Sequence, residues 1–82
     1  MHEFEISDEL RKQIKKLKNR DSVYKKIIQI VNNPNPNHYK NLRKPLQDFK
    51  RVHVDKSFVL LFKYKNDKIH FNCIKHHDKA YK

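Results

Sequence analysis

The stretch FKRVHVDKSFVLLFKYKNDKIHFNCIKHHDKAY, residues 49–81, decides the fold predicted for this chain. With the residues just before it, this stretch forms three runs rich in apolar residues, typical of β-strands joined by tight turns, over residues 46–54, 57–64 and 69–74. The middle run is apolar on both faces, which favours a central strand. Asp55-Lys56 and Asn66-Asp67 are the predicted turns, since Asn and Asp tolerate the left-handed backbone that a glycine-free turn requires.

Upstream of these strands, the sequence predicts a short strand or extended arm over residues 1–6, followed by a helix. Ser7 suits the N-cap position of that helix. Leu10, Ile14 and Leu17 then recur at helical spacing and form one apolar stripe, with lysines and arginine on the other side.

A second helix is predicted from the wider apolar face of residues 23–31, with Asp21 or Ser22 as its N-cap and Pro34 beyond its end. The resulting order is β-α-α-β-β-β. We therefore predict an α+β fold in which a two-helix hairpin packs on one face of a small antiparallel sheet, within a single domain covering residues 1–82. The opposite face of the sheet is left to polar residues and ligands.

The charge is strongly basic, with 20 Lys and Arg against 9 Asp and Glu and a net charge of +11. Residues 38–82 hold 12 of the basic and 4 of the acidic side chains, so the excess lies on the predicted sheet. Such an excess favours a polyanion such as nucleic acid, or an acidic protein partner.

The single cysteine, Cys73, lies in an apolar run and is predicted to be a buried thiol in a reducing compartment. No long apolar run predicts a membrane span or a signal peptide, so we expect a cytoplasmic protein that is not bound to a membrane. The absence of glycine excludes a Walker loop and a dinucleotide fingerprint.

Six histidines lie in this short chain, and His53, His76 and His77 fall at the ends of predicted strands. Adjacent histidines point in different directions and no HxxxH or CxxC spacing occurs, so neither a metal site nor a cofactor is expected. Cleavage of RNA by its own 2′-OH needs proton transfers, which suit histidine, and charge stabilisation, which suits lysine and arginine. His53, His77, neighbouring basic residues and a base-stacking Tyr81 would supply these groups, unless they are surface residues of a basic binding module.

The same stretch resembles the RelE/ParE superfamily of toxins from type II toxin–antitoxin systems, and is most similar to the YafQ/RelE-like mRNA interferases. The resemblance consists of an aromatic-basic pair, Phe49-Lys50, then His53-Val54-Asp55, an apolar strand, the Asn66-Asp67 turn, a last strand, and His77 four residues before Tyr81. It covers residues 40–82, while the N-terminal helical hairpin agrees in architecture. The fold that the resemblance implies is the β-α-α-β-β-β order predicted above.

The resemblance implies a metal-independent endoribonuclease that cleaves mRNA in the ribosomal A site and is restrained by a cognate antitoxin in a hetero-oligomer. By position, His53 and His77 match the catalytic histidines of the YafQ branch, and Tyr81 its terminal aromatic. The phosphate-contact and RNA-binding candidates are Lys40, Arg43, Lys50, Arg51 and Lys75.

Three positions depart from the family pattern. Lys40 stands where the YafQ branch has a further histidine, and Ser57 where it has an aspartate, for which Asp55 is the proposed substitute. Val59 stands where the RelE branch has an arginine. The alternatives are a ParE-like gyrase inhibitor without catalysis, or a non-catalytic RNA-binding relic. Because side chains alternate along a strand, His53 and Lys50 point to opposite faces unless a bulge or a strand end intervenes. Of the two, His53 is favoured as the residue that reaches the site.

Overall fold

A computed structural model of the protein describes residues 2–35, 39 and 49–76. Its elements follow the predicted β-α-α-β-β-β order: β1 Glu3–Ile6, α1 Asp8–Lys15, α2 Arg20–Val31, β2 Lys50–Val54, β3 Phe58–Lys65 and β4 Lys68–His76. The four strands form one sheet in the order β1-β4-β3-β2. The predicted α+β fold is confirmed, but the sheet is mixed, because β1 runs parallel to β4 while the other pairs are antiparallel.

α1 forms as predicted from its cap and its stripe. The Ser7 hydroxyl accepts a hydrogen bond from the Leu10 backbone N–H, and the acidic pair Asp8 and Glu9 occupies the first turn, where the helix dipole favours negative charge. Leu10 and Ile14 are buried against the sheet. The stripe therefore faces the core, and the basic side of α1 faces solvent.

α2 is longer than α1 and begins at Arg20, with Asn19 as its N-cap and no side-chain capping bond. The predicted cap at Asp21 or Ser22 is therefore wrong, because the helix starts one turn earlier than its apolar residues. The buried side of α2 consists of Val23, Ile27, Ile30 and Val31. Tyr24 and Ile28, one turn apart, remain largely exposed, so the apolar face that packs is narrower than predicted.

β3 is an inner strand, as its two-sided apolar pattern predicts, and β4 is the other inner strand. Leu60 and Phe62 point to the helices and belong to the main core, which consists of Leu10, Ile14, Val23, Ile27, Ile30, Val31, Val54, Leu60, Phe62, Ile69, Phe71 and Ile74. Val59 and Leu61 point the other way and form a small second cluster with Cys73. We call this second side of the sheet the open face, since α1 and α2 lie on the other side.

The two predicted turns adopt left-handed backbone geometry. Asn66 and Asp67 have φ angles of 53° and 61°, which is the pattern of a type I′ hairpin turn. Asp55 has a φ of 56° in the turn between β2 and β3. These turns fix the register of β2 with β3 and, from Asn66-Asp67 as far as Phe71, that of β3 with β4.

Candidate active site

The candidate site lies at one end of the open face, where His53, Arg51 and Lys75 share a side of the sheet. His53 is opposite Val59 in the β2–β3 pairing, and Val59 is opposite Lys75 in the β3–β4 pairing. Because neighbouring strands are about 4.8 Å apart, the backbones of His53 and Lys75 are roughly 10 Å apart. Both side chains are exposed, so groups of this length can converge on a ligand that lies over Val59.

Arg51 lies one step along the same face, opposite Leu61, which is itself opposite Cys73. Its side chain is half-buried. Val59, Leu61 and Cys73 form an apolar floor between the polar residues, with Phe49 packed against it. The site therefore combines an imidazole and two cations around an apolar surface, an environment in which a phosphate interacts strongly with fixed positive charge.

Cys73 belongs to this floor but is not suited to act as a nucleophile. Burial raises the pKa of its thiol, and the negative charge of Glu9 raises it further. A thiol with a raised pKa stays protonated at neutral pH and reacts slowly.

Asp55 follows β2 directly, in the turn that connects it to β3, and its side chain is exposed. It is thus two residues from His53 at the same end of the sheet. Its left-handed backbone sets the direction in which the chain leaves the strand. The structure therefore brings Asp55, His53 and Lys75 to one end of the sheet.

Lys50 is placed differently from the other predicted RNA-binding residues. Its side chain is only 8% exposed, and its ammonium group donates a hydrogen bond of 3.2 Å to the Tyr39 carbonyl oxygen. Strand alternation puts it with Val52 and Val54 on the helix-facing side, opposite to His53. This placement does not support a phosphate contact by Lys50 and gives it a structural role beside the core.

Four other predicted site residues, namely His77, Tyr81, Lys40 and Arg43, lie outside the described residues. His76, the neighbour of His77, is described and points away from the site. Its ring packs edge-on against Phe58, with 5.8 Å between the ring centroids, and Phe58 borders the main core.

A second polar cluster on the open face was missed by the sequence analysis, and it lies at the opposite edge of the sheet. Glu5 of β1 contacts His70 Nδ1 at 2.6 Å and Lys68 Nζ at 3.4 Å. The hydrogen bond with His70, and then the contacts with Lys68, hold the pKa of Glu5 below its usual value. These residues meet only because β1 and β4 pair in parallel, and no local sequence signal predicts that register.

Over the described ranges, no three His, Cys, Asp or Glu side chains cluster in a way that could hold a metal ion. The helices within the same ranges are too short and too polar to cross a membrane.

Comparison with known proteins identifies the family. No protein-family model matches the chain. Along its whole length, however, the chain is 48% identical to a Methanocaldococcus jannaschii protein named "Putative toxin RelE4", of which it covers 93%. The chain belongs to the RelE-like toxins. The superfamily that the resemblance of residues 40–82 predicts is thereby confirmed.

The solved structures that resemble this RelE-like toxin agree with that assignment at the level of the fold. YafQ from E. coli strain BL21(DE3) superposes with a TM-score of 0.76 at 18% identity, over 100% of both chains. A chain of the E. coli RelBE toxin–antitoxin complex superposes with a TM-score of 0.70 at 14% identity, over 90% of this chain and 94% of that one.

Proposed function

We propose that this RelE-like toxin is a metal-independent endoribonuclease that cleaves mRNA on the ribosome and so inhibits translation. The observation that carries the proposal is the grouping of His53, Arg51 and Lys75 on one end of the open face, in a chain that belongs to a toxin family. An imidazole between two cations supplies the groups that RNA cleavage by the 2′-OH requires.

The reaction forms a bond between the ribose 2′-oxygen and the adjacent phosphorus and breaks the bond from phosphorus to the 5′-oxygen. One group takes the 2′-OH proton and another gives a proton to the leaving 5′-oxygen. His53 is proposed for one of these transfers, because an imidazole can both accept and donate a proton near neutral pH. His77 is proposed as its partner and Tyr81 as the base-stacking or phosphate-orienting residue, both by their positions in the family pattern.

Arg51 and Lys75 are proposed to stabilise the extra negative charge on the phosphate in the transition state. They flank the apolar floor from two sides, and charge stabilisation is stronger over an apolar surface than in water. Lys40 and Arg43 are proposed as further phosphate contacts, and Asp55 as a polar group that orients the site from the β2–β3 turn.

The partner proposed to restrain this activity is a cognate antitoxin in a hetero-oligomer. A chain of the E. coli DinJ–YafQ toxin–antitoxin complex superposes with a TM-score of 0.75 at 19% identity. The net charge of +11 is complementary to an acidic antitoxin segment that orders on binding. The same charge favours ribosomal RNA, with affinity that falls steeply as salt rises.

The test is a translation reaction with purified protein and ribosomes, in which mRNA cuts are mapped by primer extension. We expect wild-type protein to cut and His53→Ala to cut slower by about 10²- to 10⁴-fold, the usual contribution of one acid–base group. His70→Ala is the matched control, since it removes an imidazole from the same face but at the far edge of the sheet. It should cut like the wild type.

Intact mRNA with the wild-type protein would sink the nuclease proposal, and equal cutting by both histidine variants would remove His53 from the mechanism. A gyrase inhibitor would instead block DNA supercoiling without cutting RNA. A non-catalytic binder would bind RNA equally well with and without the His53 imidazole.

A further inference from the structure

The pairing of β3 with β4 contains one irregularity, next to the candidate site. Leu61 is opposite Cys73, whereas the next residue of β3, Phe62, is opposite Phe71. Asn72 is therefore an extra residue in β4, which is the defining feature of a β-bulge. A bulge at this point changes which side chains of β4 reach the open face.

The bulge reverses the alternation of β4 at its middle. Phe71 and Ile74 both belong to the main core, although they are three residues apart, and Cys73 belongs to the open-face cluster. In a regular strand, Cys73 and Lys75 would share the side of Phe71 and point toward the helices. The extra residue thus puts Lys75 on the same face as His53.

On the edge of β4 that faces away from β3, the backbone at the bulge bonds to α1 and its N-cap residue. β1 ends its pairing at Ile6, opposite Phe71, so β4 continues beyond the end of β1. Ser7 then donates from its backbone N–H to the Phe71 carbonyl and from its hydroxyl to the Asn72 carbonyl.

Gln13, six residues after Ser7 and within α1, continues this line of contacts. Its side-chain N–H donates to the Ile74 carbonyl at 3.0 Å, and its side-chain oxygen accepts from the Ile74 N–H at 2.7 Å. The side-chain amide thus bonds both backbone groups of a buried residue, as a residue of an adjacent strand would. Without these hydrogen bonds, the buried N–H and carbonyl of Ile74 would raise the free energy of the folded state. The two bonds from Gln13 therefore favour the bulged register.

We propose that Gln13, assisted by Ser7, is a positioning residue that sets the bulged register of β4 and thereby places Lys75 on the open face beside His53. The expected effect of Gln13 on catalysis rests on the proposed function of Lys75, whereas its expected effect on the register of β4 does not. Gln13 does not touch the substrate; it acts through the backbone of Ile74.

The first experiment measures the register directly, by NMR on the full-length, isotope-labelled protein. In Gln13→Ala we expect amide exchange at Ile74 to rise by about 10-fold or more, as the loss of one buried hydrogen bond implies, and the cross-strand contact of Leu61 with Cys73 to weaken. Gln13→Glu keeps the side-chain size but cannot donate to the Ile74 carbonyl, so the same contact should weaken. Gln29→Ala, an exposed glutamine on α2, is the matched control and should change neither signal.

The second experiment asks whether Gln13 acts through Lys75, by comparing mRNA cleavage by Gln13→Glu, Lys75→Ala and the double variant. Removal of a group that stabilises transition-state charge costs roughly 100-fold in kcat, which we expect for Lys75→Ala. If Gln13 only places Lys75, the double variant is no slower than Lys75→Ala, because the two changes remove the same interaction.

Unchanged Ile74 exchange and an unchanged Leu61–Cys73 contact in both Gln13 variants would overturn the register proposal, whether or not the protein cleaves mRNA. Fully additive losses in the double variant would overturn the link to Lys75. Absence of cleavage by the wild type would instead count against the proposed function, and the NMR result would still decide the role of Gln13.

Discussion

The helix-facing side and the open face of the sheet share the strand β3 and differ in what they place beside it. On the helix-facing side, Phe62 packs against Phe71 at 5.9 Å between ring centroids and lies within a core that both helices cover. On the open face, Val59 and Leu61 form a small cluster with Cys73. Beside this cluster lie His53, Arg51 and Lys75. Burial of apolar area makes the first side the main source of stability. The open face is where the proposed chemistry takes place.

The largest effect expected from this difference is on stability at position 62. Phe62→Ala removes a fully buried ring and should lower the free energy of unfolding by about 3–5 kcal/mol, a large part of the total for a domain of this size. Lys63→Ala, on the other face of the same strand, loses a contact of its ammonium group with the Phe49 ring and should cost about 0.5–1 kcal/mol. Urea denaturation followed by circular dichroism measures both changes. Similar losses in the free energy of unfolding at the two positions would contradict the claim that the helix-facing side is the main source of stability.

A second contrast is expected within β2, where Lys50 and Arg51 are adjacent but belong to different sides. Lys50→Ala removes a buried donor to the Tyr39 carbonyl and should lower the free energy of unfolding by about 1–3 kcal/mol, with RNA affinity nearly unchanged. Arg51→Ala should mainly weaken RNA binding and reduce the slope of log affinity against log salt by about 1.

Denaturation and fluorescence anisotropy with a labelled RNA, over a range of salt concentrations, separate these two outcomes. A larger loss of RNA affinity at position 50 than at position 51 would show that the sides are wrongly assigned.

The smallest effect is expected at the far edge of the open face, at Glu5. Its pKa in the folded state lies below its usual value, so its contacts with His70 and Lys68 contribute stability above the pKa that Glu5 has in the unfolded chain. That contribution is lost as pH falls through the lower, folded pKa. The difference in stability between wild type and Glu5→Gln should therefore disappear in acid. The difference is small even at neutral pH, because these contacts of Glu5 are exposed.

Denaturation at a series of pH values from 3 to 6 measures this convergence. Glu3→Gln, the same change two residues earlier on β1, controls for the loss of one negative charge from that strand. An equal pH dependence in the two variants would mean that the contacts of Glu5 contribute nothing specific.

Much of the fold could be predicted from local sequence, because its signals are local. The two-sided apolar run of residues 57–64 marks β3 as central, and Asn66-Asp67 supplies the turn that a hairpin without glycine needs. Ser7 and the stripe of Leu10 and Ile14 mark α1. Alternation within β2 also predicts that Lys50 and His53 lie on opposite sides, and the structure confirms it.

The arrangement of the candidate site depends on contacts between residues far apart in the chain, which local patterns do not contain. Apolar residues stand at positions 69, 71 and 73 and then at 74, so the alternation breaks within this run, but the break does not show that Asn72 is the extra residue. The bulge depends instead on Gln13, which is 61 residues from Ile74, and on the point at which β1 ends. The parallel pairing that joins Glu5 to His70 is equally non-local.

The sequence by itself therefore determined the order of elements, the central strand and the family, since helical and strand periodicity and turn chemistry act over a few residues. Only the tertiary structure decided that Lys75 shares a face with His53 and that Lys50 does not. A one-residue change of register moves every following side chain to the other side of a sheet, and that register is set by distant backbone hydrogen bonds.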